Sequence, residues 1–172
     1  MIKERAFGVT CDLGAGDGYV IQRVKASQRI AVDIAYSYME QLPEEIMRIW
    51  GRAEDVPMNS GCIDTMICTD VMEHVLDPQL LADEMRRLLK ASGQILLAFP
   101  YKQDLSVYHL PAYQAKYGKY KYVHLRSIDD DLIAHFFPEY EIGYSHLISE
   151  GMDSMEFKPY PIKFVEMKSR RI

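Results

Sequence analysis

Most of what this chain lacks narrows its class. Among its 172 residues there is no apolar run approaching the ~18 residues that a membrane-spanning helix needs. The opening Met-Ile-Lys-Glu-Arg-Ala-Phe has no long apolar region of the kind a secretory signal carries. Cysteine is scarce: Cys11, Cys62 and Cys68 are the only three, and they form neither a CxxC pair nor a zinc-ligand spacing. That excludes a disulfide framework and leaves reduced thiols in or near the core of a cytoplasmic protein. Positive charge is also short, with 20 Lys and Arg against 25 Asp and Glu and a net charge of −5. Bulk nucleic-acid binding is disfavoured by that balance, although local patches can still act. Internal repeats, low-complexity tracts and linkers are missing, so residues 1–172 are expected to form one domain.

What is present begins at Val9-Thr10-Cys11-Asp12-Leu13-Gly14-Ala15-Gly16-Asp17-Gly18. An apolar run reaches an acidic residue, and glycines then stand at alternate positions. The pattern predicts a strand, a tight turn and a helix N-terminus. Glycine lets the main chain adopt positive φ and approach a ligand closely. Free N–H groups at a helix start favour electron-rich ligand atoms. A nucleotide-like cofactor is therefore expected. It is not a nicotinamide dinucleotide, because the third glycine of that fingerprint falls on Tyr19. A phosphate loop ending in Gly-Lys-Ser/Thr is absent too.

Strand-like and helix-like segments alternate, which predicts an α/β fold with a mostly parallel sheet. Strands are expected at about 8–13, 29–34, 46–51, 63–68 and 94–99, with two final strands at 140–149 and 162–167. Helices are expected over 19–27 and 36–45. Another should start at Asp77, a capping residue, with Pro78 in its first turn and Gly93 as its stop. A capping-box-like Ser127-Ile128-Asp129-Asp130 predicts one more helix, with Leu132, Ile133, Phe136 and Phe137 as its buried stripe.

Four segments, in order, resemble the class I S-adenosylmethionine-dependent methyltransferases, and specifically their type 11 branch. They are the Asp-Leu-Gly-x-Gly-x-Gly loop, Ala31-Val32-Asp33-Ile34, Gly51-Arg52-Ala53-Glu54-Asp55-Val56-Pro57, and Thr69-Asp70-Val71-Met72-Glu73-His74-Val75. Leu81–Pro100 is similar to the family's following helix and strand. The resemblance implies a Rossmann-like seven-stranded, mostly parallel sheet of order 3-2-1-4-5-7-6, with strand 7 antiparallel and helices on both faces. It implies S-adenosylmethionine as cofactor and S-adenosylhomocysteine as product. Asp12, Gly14, Ala15, Gly16 and Gly18 would hold the amino-acid end. Asp33 and Ile34 would hold the ribose, since a carboxylate accepts two hydrogen bonds. Ala53 and Glu54 would stand by the adenine, and Asp70 near the sulfonium. The family often has Asp where this chain has Arg52, which weakens any carboxylate contact there.

His74 is the candidate catalytic residue, because an imidazole of pKa near ~6.5 can take a proton from an acceptor. In some relatives, the small-RNA terminal 2′-O-methyltransferases, glutamates and histidines of this region bind a metal. His109 and His124 could be further donors, but their spacing resembles no metal motif, and no metal is expected. Tyr101–Arg126 holds half of the chain's 12 tyrosines, several lysines and a single acid, Asp104. The resemblance implies a substrate cover at this place after strand 5, and a basic, aromatic cover suits an anionic or aromatic acceptor. Strand 1 starts within the first ten residues, where the family usually has one or two earlier helices. The pocket is then open, covered by a second subunit in a homodimer, or short of residues. The expected activity is methyl transfer to oxygen or nitrogen of a small molecule. The alternatives are an RNA-directed enzyme or a non-catalytic S-adenosylmethionine-binding subunit.

Overall fold

The structure is a computed structural model and describes residues 1–119, 123–148 and 161–170. Its strands are β1 (Val9–Leu13), β2 (Gln28–Asp33), β3 (Ile46–Trp50), β4 (Ile63–Thr69), β5 (Leu89–Pro100), β6 (Tyr140–Ile148) and β7 (Ile162–Ser169). All belong to one sheet of order β3-β2-β1-β4-β5-β7-β6. The first five run parallel, and β7 lies antiparallel to both β5 and β6. This is the Rossmann-like sheet that the sequence implies. The α-helices are α1 (Tyr36–Met39), α2 (Pro78–Leu88), α3 (Pro111–Tyr117) and α4 (Asp130–Phe136). No helix among the described residues is long and apolar enough to cross a membrane.

Successive side chains of a strand point to opposite faces, and the apolar strands divide accordingly. Cys11, Leu13, Ile30, Val32, Met66, Cys68, Ile95 and Leu97 form one core with Leu81, Met85 and Leu88 of α2 and Ile133 and Phe136 of α4. Ala31, Ile67 and Leu96 face the other way, against Ile21, Val24, Met39, Leu42 and Phe164. The first face is covered by regular helices. The second is covered by short turns and α1.

Two expected helices are largely missing, and the geometry explains the first. The segment 19–27 contains only a 3-10 turn, Ile21–Arg23, before Val24 turns extended. β1 and β2 are parallel, with Val9 opposite Gln28, so the chain leaving β1 must return the length of a strand. A helix over Tyr19–Ser27 would rise only about 13 Å, against roughly 17 Å for a five-residue strand. Partly extended chain covers the distance. The helix expected over 36–45 reduces to α1, one turn long.

Gly93 does not stop α2. The helix ends at Leu88, and β5 begins at once by pairing Leu89 with Ile63. Gly93 lies inside β5 beside a register shift, where a Cβ would stand 2.7 Å from Leu89 Cδ2 and 3.0 Å from the Lys90 carbonyl oxygen. The α2 start is as expected: Asp77 accepts from the amides of Gln79 and Leu80 at 2.9 and 3.3 Å. Asp129 caps α4 by accepting from Leu132 N at 3.0 Å.

α2 also pins the loop after β3. Glu84 is buried and accepts from Val56 N at 2.7 Å. Arg87, bonded to Glu84 at 2.7 Å, donates to the carbonyls of Val56 and Met58. The loop that follows β3 is thus fastened to the helix that follows β4. Glu84→Ala is expected to lower stability by about 1–3 kcal/mol in urea denaturation, because a buried amide and a guanidinium lose their acceptor. A loss within measurement error would show that this anchor is dispensable.

Candidate functional site

At the carboxyl ends of β1, β2 and β4 lies a cavity of about 350 Å³. Its walls include Gly14, Asp33, Ile34, Ala53, Glu54, Asp70 and His74. These residues come from four separate turns, after β1, β2, β3 and β4, and the strand order makes the first and last adjacent. Open α/β sheets bind ligands at such a reversal of strand order.

Each wall has a local cause. Gly14 adopts φ +73°, and its amide donates to Val32 O at 2.8 Å, so the chain leaving β1 folds over the end of β2. A Cβ on Gly14 would stand 2.3 Å from Val71 Cγ2, which makes glycine the residue that lets the two turns close on each other. Gly16 donates to Asp33 Oδ2 at 2.8 Å, and Ala35 N donates to Asp33 Oδ1 at 2.7 Å. The Asp33 carboxylate is therefore held in one orientation, with lone pairs remaining on both oxygens. Trp50 Nε1 donates to Ile34 O at 2.8 Å and meets the Tyr36 ring edge-on at 5.4 Å, an aromatic rim beside the cavity. Glu54, on the cavity wall, also pairs with Arg52 at 2.7 Å. Asp70 sits at φ +54°, a strained backbone for a non-glycine residue, with its amide bonded to Ala98 O at 2.9 Å.

Asp12, Ala15, Gly16 and Gly18 are not on the cavity wall. Asp12, in β1 two residues before Gly14, is wholly buried, with Oδ1 lacking a hydrogen-bond partner. Burial and the nearby Asp33 charge push its pKa up to about 8. Gly18 packs on Leu42: a Cβ there would come within 2.2 Å of Leu42 Cδ2.

The turn after β4 carries Glu73 and His74. His74 N bonds Val71 O at 2.9 Å, and His74 reaches the cavity. Burial lowers its pKa, so the ring is neutral near pH 7. Glu73 points inward, fully buried, and burial raises its pKa to about 8. Beside them stands His124, which burial and the His74 ring hold down at about 4. The two imidazoles meet edge to face at 4.7 Å.

Among the described residues of the segment after β5, two tyrosines are packing. Tyr108 and Tyr113 are buried and pack edge to face at 5.2 Å, and Tyr108 meets the His124 ring at 5.7 Å. Tyrosine bodies bury more favourably than they stand in water, so these rings serve as packing. Tyr120, Lys121 and Tyr122 lie outside the described residues. Arg126 is the segment's decisive residue. Its guanidinium donates to the carbonyls of Met72, Val75 and Leu76, and Leu125 N donates to Glu73 O at 2.8 Å. These contacts strap the segment to the turn after β4. The sequence marks Arg126 only as one basic residue among several, and it does not mark Gln103, which holds His124.

Residues 11–97 match the methyltransferase-domain family, and the chain belongs to it. The sheet order and this match together define a class I S-adenosylmethionine-dependent methyltransferase domain. Among curated proteins, an uncharacterized protein of Methanocaldococcus jannaschii is 27% identical over 94 residues, 55% of this chain and 41% of that protein. The chain spans less than half the length of the curated relatives it matches. Among solved structures, the YcgJ protein of Bacillus subtilis superposes with a TM-score of 0.71 at 17% identity, covering 99% of this chain and 96% of that one. The [4+2]-cyclase SpnF superposes equally well, 0.71 at 12% identity over 98% of this chain and 78% of its own. At such identities the likeness is one of fold, and one fold hosts unrelated reactions.

Asp12 gives the site a pH signature. A buried acid whose pKa rises on folding contributes stability that is complete below its unfolded value of 3.8 and is lost as pH rises to about 8. Asp12→Asn keeps the shape and removes the titration. Its stability in urea is expected to fall less steeply between those pH values than the wild type's. Glu73 titrates in the same direction, so the slope shrinks without vanishing. Parallel curves for the two proteins would show that Asp12 titrates alike folded and unfolded.

Proposed function

We propose that the cavity binds S-adenosylmethionine and that the protein transfers its methyl group to an oxygen or nitrogen of a small-molecule acceptor. The observation that carries this reading is the charge of the wall. Asp33, Glu54 and Asp70 line it, and Arg52, the one Lys or Arg among the described wall residues, is already paired with Glu54. Such a wall repels phosphates and suits a cofactor that carries a sulfonium and an ammonium group.

When bound, S-adenosylmethionine supplies an electrophilic methyl carbon. The acceptor's lone pair forms the new bond as the carbon–sulfur bond breaks toward sulfur, and the acceptor's proton leaves. The chain's part is to position both reactants in line and to exclude water. Asp33, with Ile34 beside it, takes the ribose hydroxyls on its remaining lone pairs. The glycine turn over Asp12 receives the amino-acid end. Ala53 offers backbone at the adenine edge, and the Arg52–Glu54 pair closes that side. Asp70 stands where a positive sulfonium gains most from a carboxylate. His74 faces the acceptor side with a neutral ring.

Calorimetric titration with S-adenosylmethionine and with S-adenosylhomocysteine tests the reading. Both are expected to bind in the micromolar range, and Asp33→Ala should weaken each at least ~tenfold, about 1.4 kcal/mol. Unchanged affinity in that variant removes the ribose assignment. His74→Ala is expected to reduce turnover far more than cofactor affinity, and equal losses in both would place it in the cofactor site instead.

A further inference from the structure

Methyl transfer leaves Glu73 and His124, the neighbours of His74, unused. Glu73 is wholly buried, and neither of its carboxylate oxygens has a hydrogen-bond partner. A buried carboxylate is ordinarily offset by donors or by a cation. Arg126 is the cation whose charge bears on it, yet the guanidinium N–H groups described above are spent on the carbonyls of Met72, Val75 and Leu76. Around the orphaned oxygens stand two imidazoles. One ligating atom each from Glu73, His74 and His124 lies within 4.8 Å of the other two. His124 is held from behind: its Nδ1 bonds Gln103 Oε1, while Gln103 Nε2 donates to the Tyr108 hydroxyl at 3.0 Å. With the amide fixed by Tyr108, its oxygen takes the Nδ1 proton, and the ring's lone pair falls on Nε2. A ring nitrogen tied to a neutral acceptor is the usual outer support of a metal-binding histidine.

We propose that Glu73, His74 and His124 bind one divalent cation of the borderline class, such as Zn²⁺, Co²⁺ or Mn²⁺, at the acceptor side of the cavity. Two nitrogens and one carboxylate oxygen suit that class better than Mg²⁺ or Ca²⁺, which favour oxygen sets. In a tetrahedral set, ligands ~2.1 Å from one ion stand ~3.4 Å apart, so side-chain rotations that bring the three atoms together by about an ångström close the set. Three protein ligands leave at least one position open. His74 lines the cavity, so that position faces the acceptor. There the ion would bind an acceptor hydroxyl or amine and lower its pKa, releasing its proton to solvent before the lone pair attacks. This role toward the acceptor rests on the methyl-transfer reading; binding of the ion does not.

The test is titration of tag-free, chelator-treated full-length protein with Co²⁺, followed by its visible d–d absorption, with S-adenosylhomocysteine binding measured in parallel. Saturation at one equivalent is expected. Glu73→Gln and His124→Ala should each weaken Co²⁺ at least ~tenfold, and Gln103→Ala, which acts through His124, roughly tenfold. His109→Ala, outside the cluster, should match the wild type. Circular dichroism confirms that each variant is folded; should Glu73→Gln fail to fold, the Gln103→Ala and His124→Ala comparisons decide. No saturable binding by the folded wild type overturns the site, as does wild-type affinity in His124→Ala. Thiolate charge-transfer bands would place the ion on a cysteine and overturn it as well. Co²⁺ binding without S-adenosylhomocysteine binding keeps the metal site and removes the methyl-transfer reading; the reverse removes the metal site alone.

Discussion

The reversal of strand order between β1 and β4 is the constraint on which the rest of the structure depends. Both strands are parallel, and they pair from Thr10 with Thr65 through Leu13 with Cys68. The chain leaving β1 crosses toward β2, whereas the chain leaving β4 crosses toward β5. Nothing in the local connectivity fills the gap between the two departing turns. The crevice therefore follows from the connectivity itself. Gly14 sets its width, because Val71 of the opposite turn occupies the space that a side chain there would need.

The second organising feature is a conflict of charge. Asp12 and Glu73 are fully buried acids close in sequence to the wall residues Gly14 and His74, and both are short of hydrogen-bond donors. Leaving polar groups in that state costs stability that apolar residues would not cost. The proposed ligands answer it with cations: an ammonium at the glycine turn after β1, a sulfonium by Asp70, and a metal ion at Glu73. Arg126 resolves a different problem. Its charge bears on Glu73, but among the described residues it forms no ion pair with a carboxylate. It satisfies three carbonyls of the turn after β4, and so holds the Glu73–His74 pair against the segment that carries His124.

That strap also changes the meaning of the tyrosine-rich segment. As sequence it is basic and aromatic and reads as a cover for substrate. In the structure Tyr108 and Tyr113 are buried packing, and Tyr108 steadies Gln103 and through it His124. Tyr108 thus serves to position an imidazole.

The sequence by itself determined the sheet and the family. Apolar runs marked the strands and the family resemblance implied their order, Asp77 and Asp129 announced two helix starts, and the glycine turn with Asp33 marked the cavity. These signals are local: capping, turn conformation and apolar runs each act over a few residues. Two helices were misread, and at 19–27 the deciding quantity was the distance back to the start of β2, which local propensity does not encode. Gly93 was misread because a close approach to the Asp64 and Lys90 carbonyls, not a helix end, requires it. The tertiary structure alone decided the meeting of Glu73 and His74 with His124, and the roles of Arg126 and Gln103. Those partners lie far apart in sequence, Arg126 some 51 residues from Val75, and only the crossover from β4 to the segment after β5 brings them together. A pairing set by strand order leaves no spacing in the sequence to read.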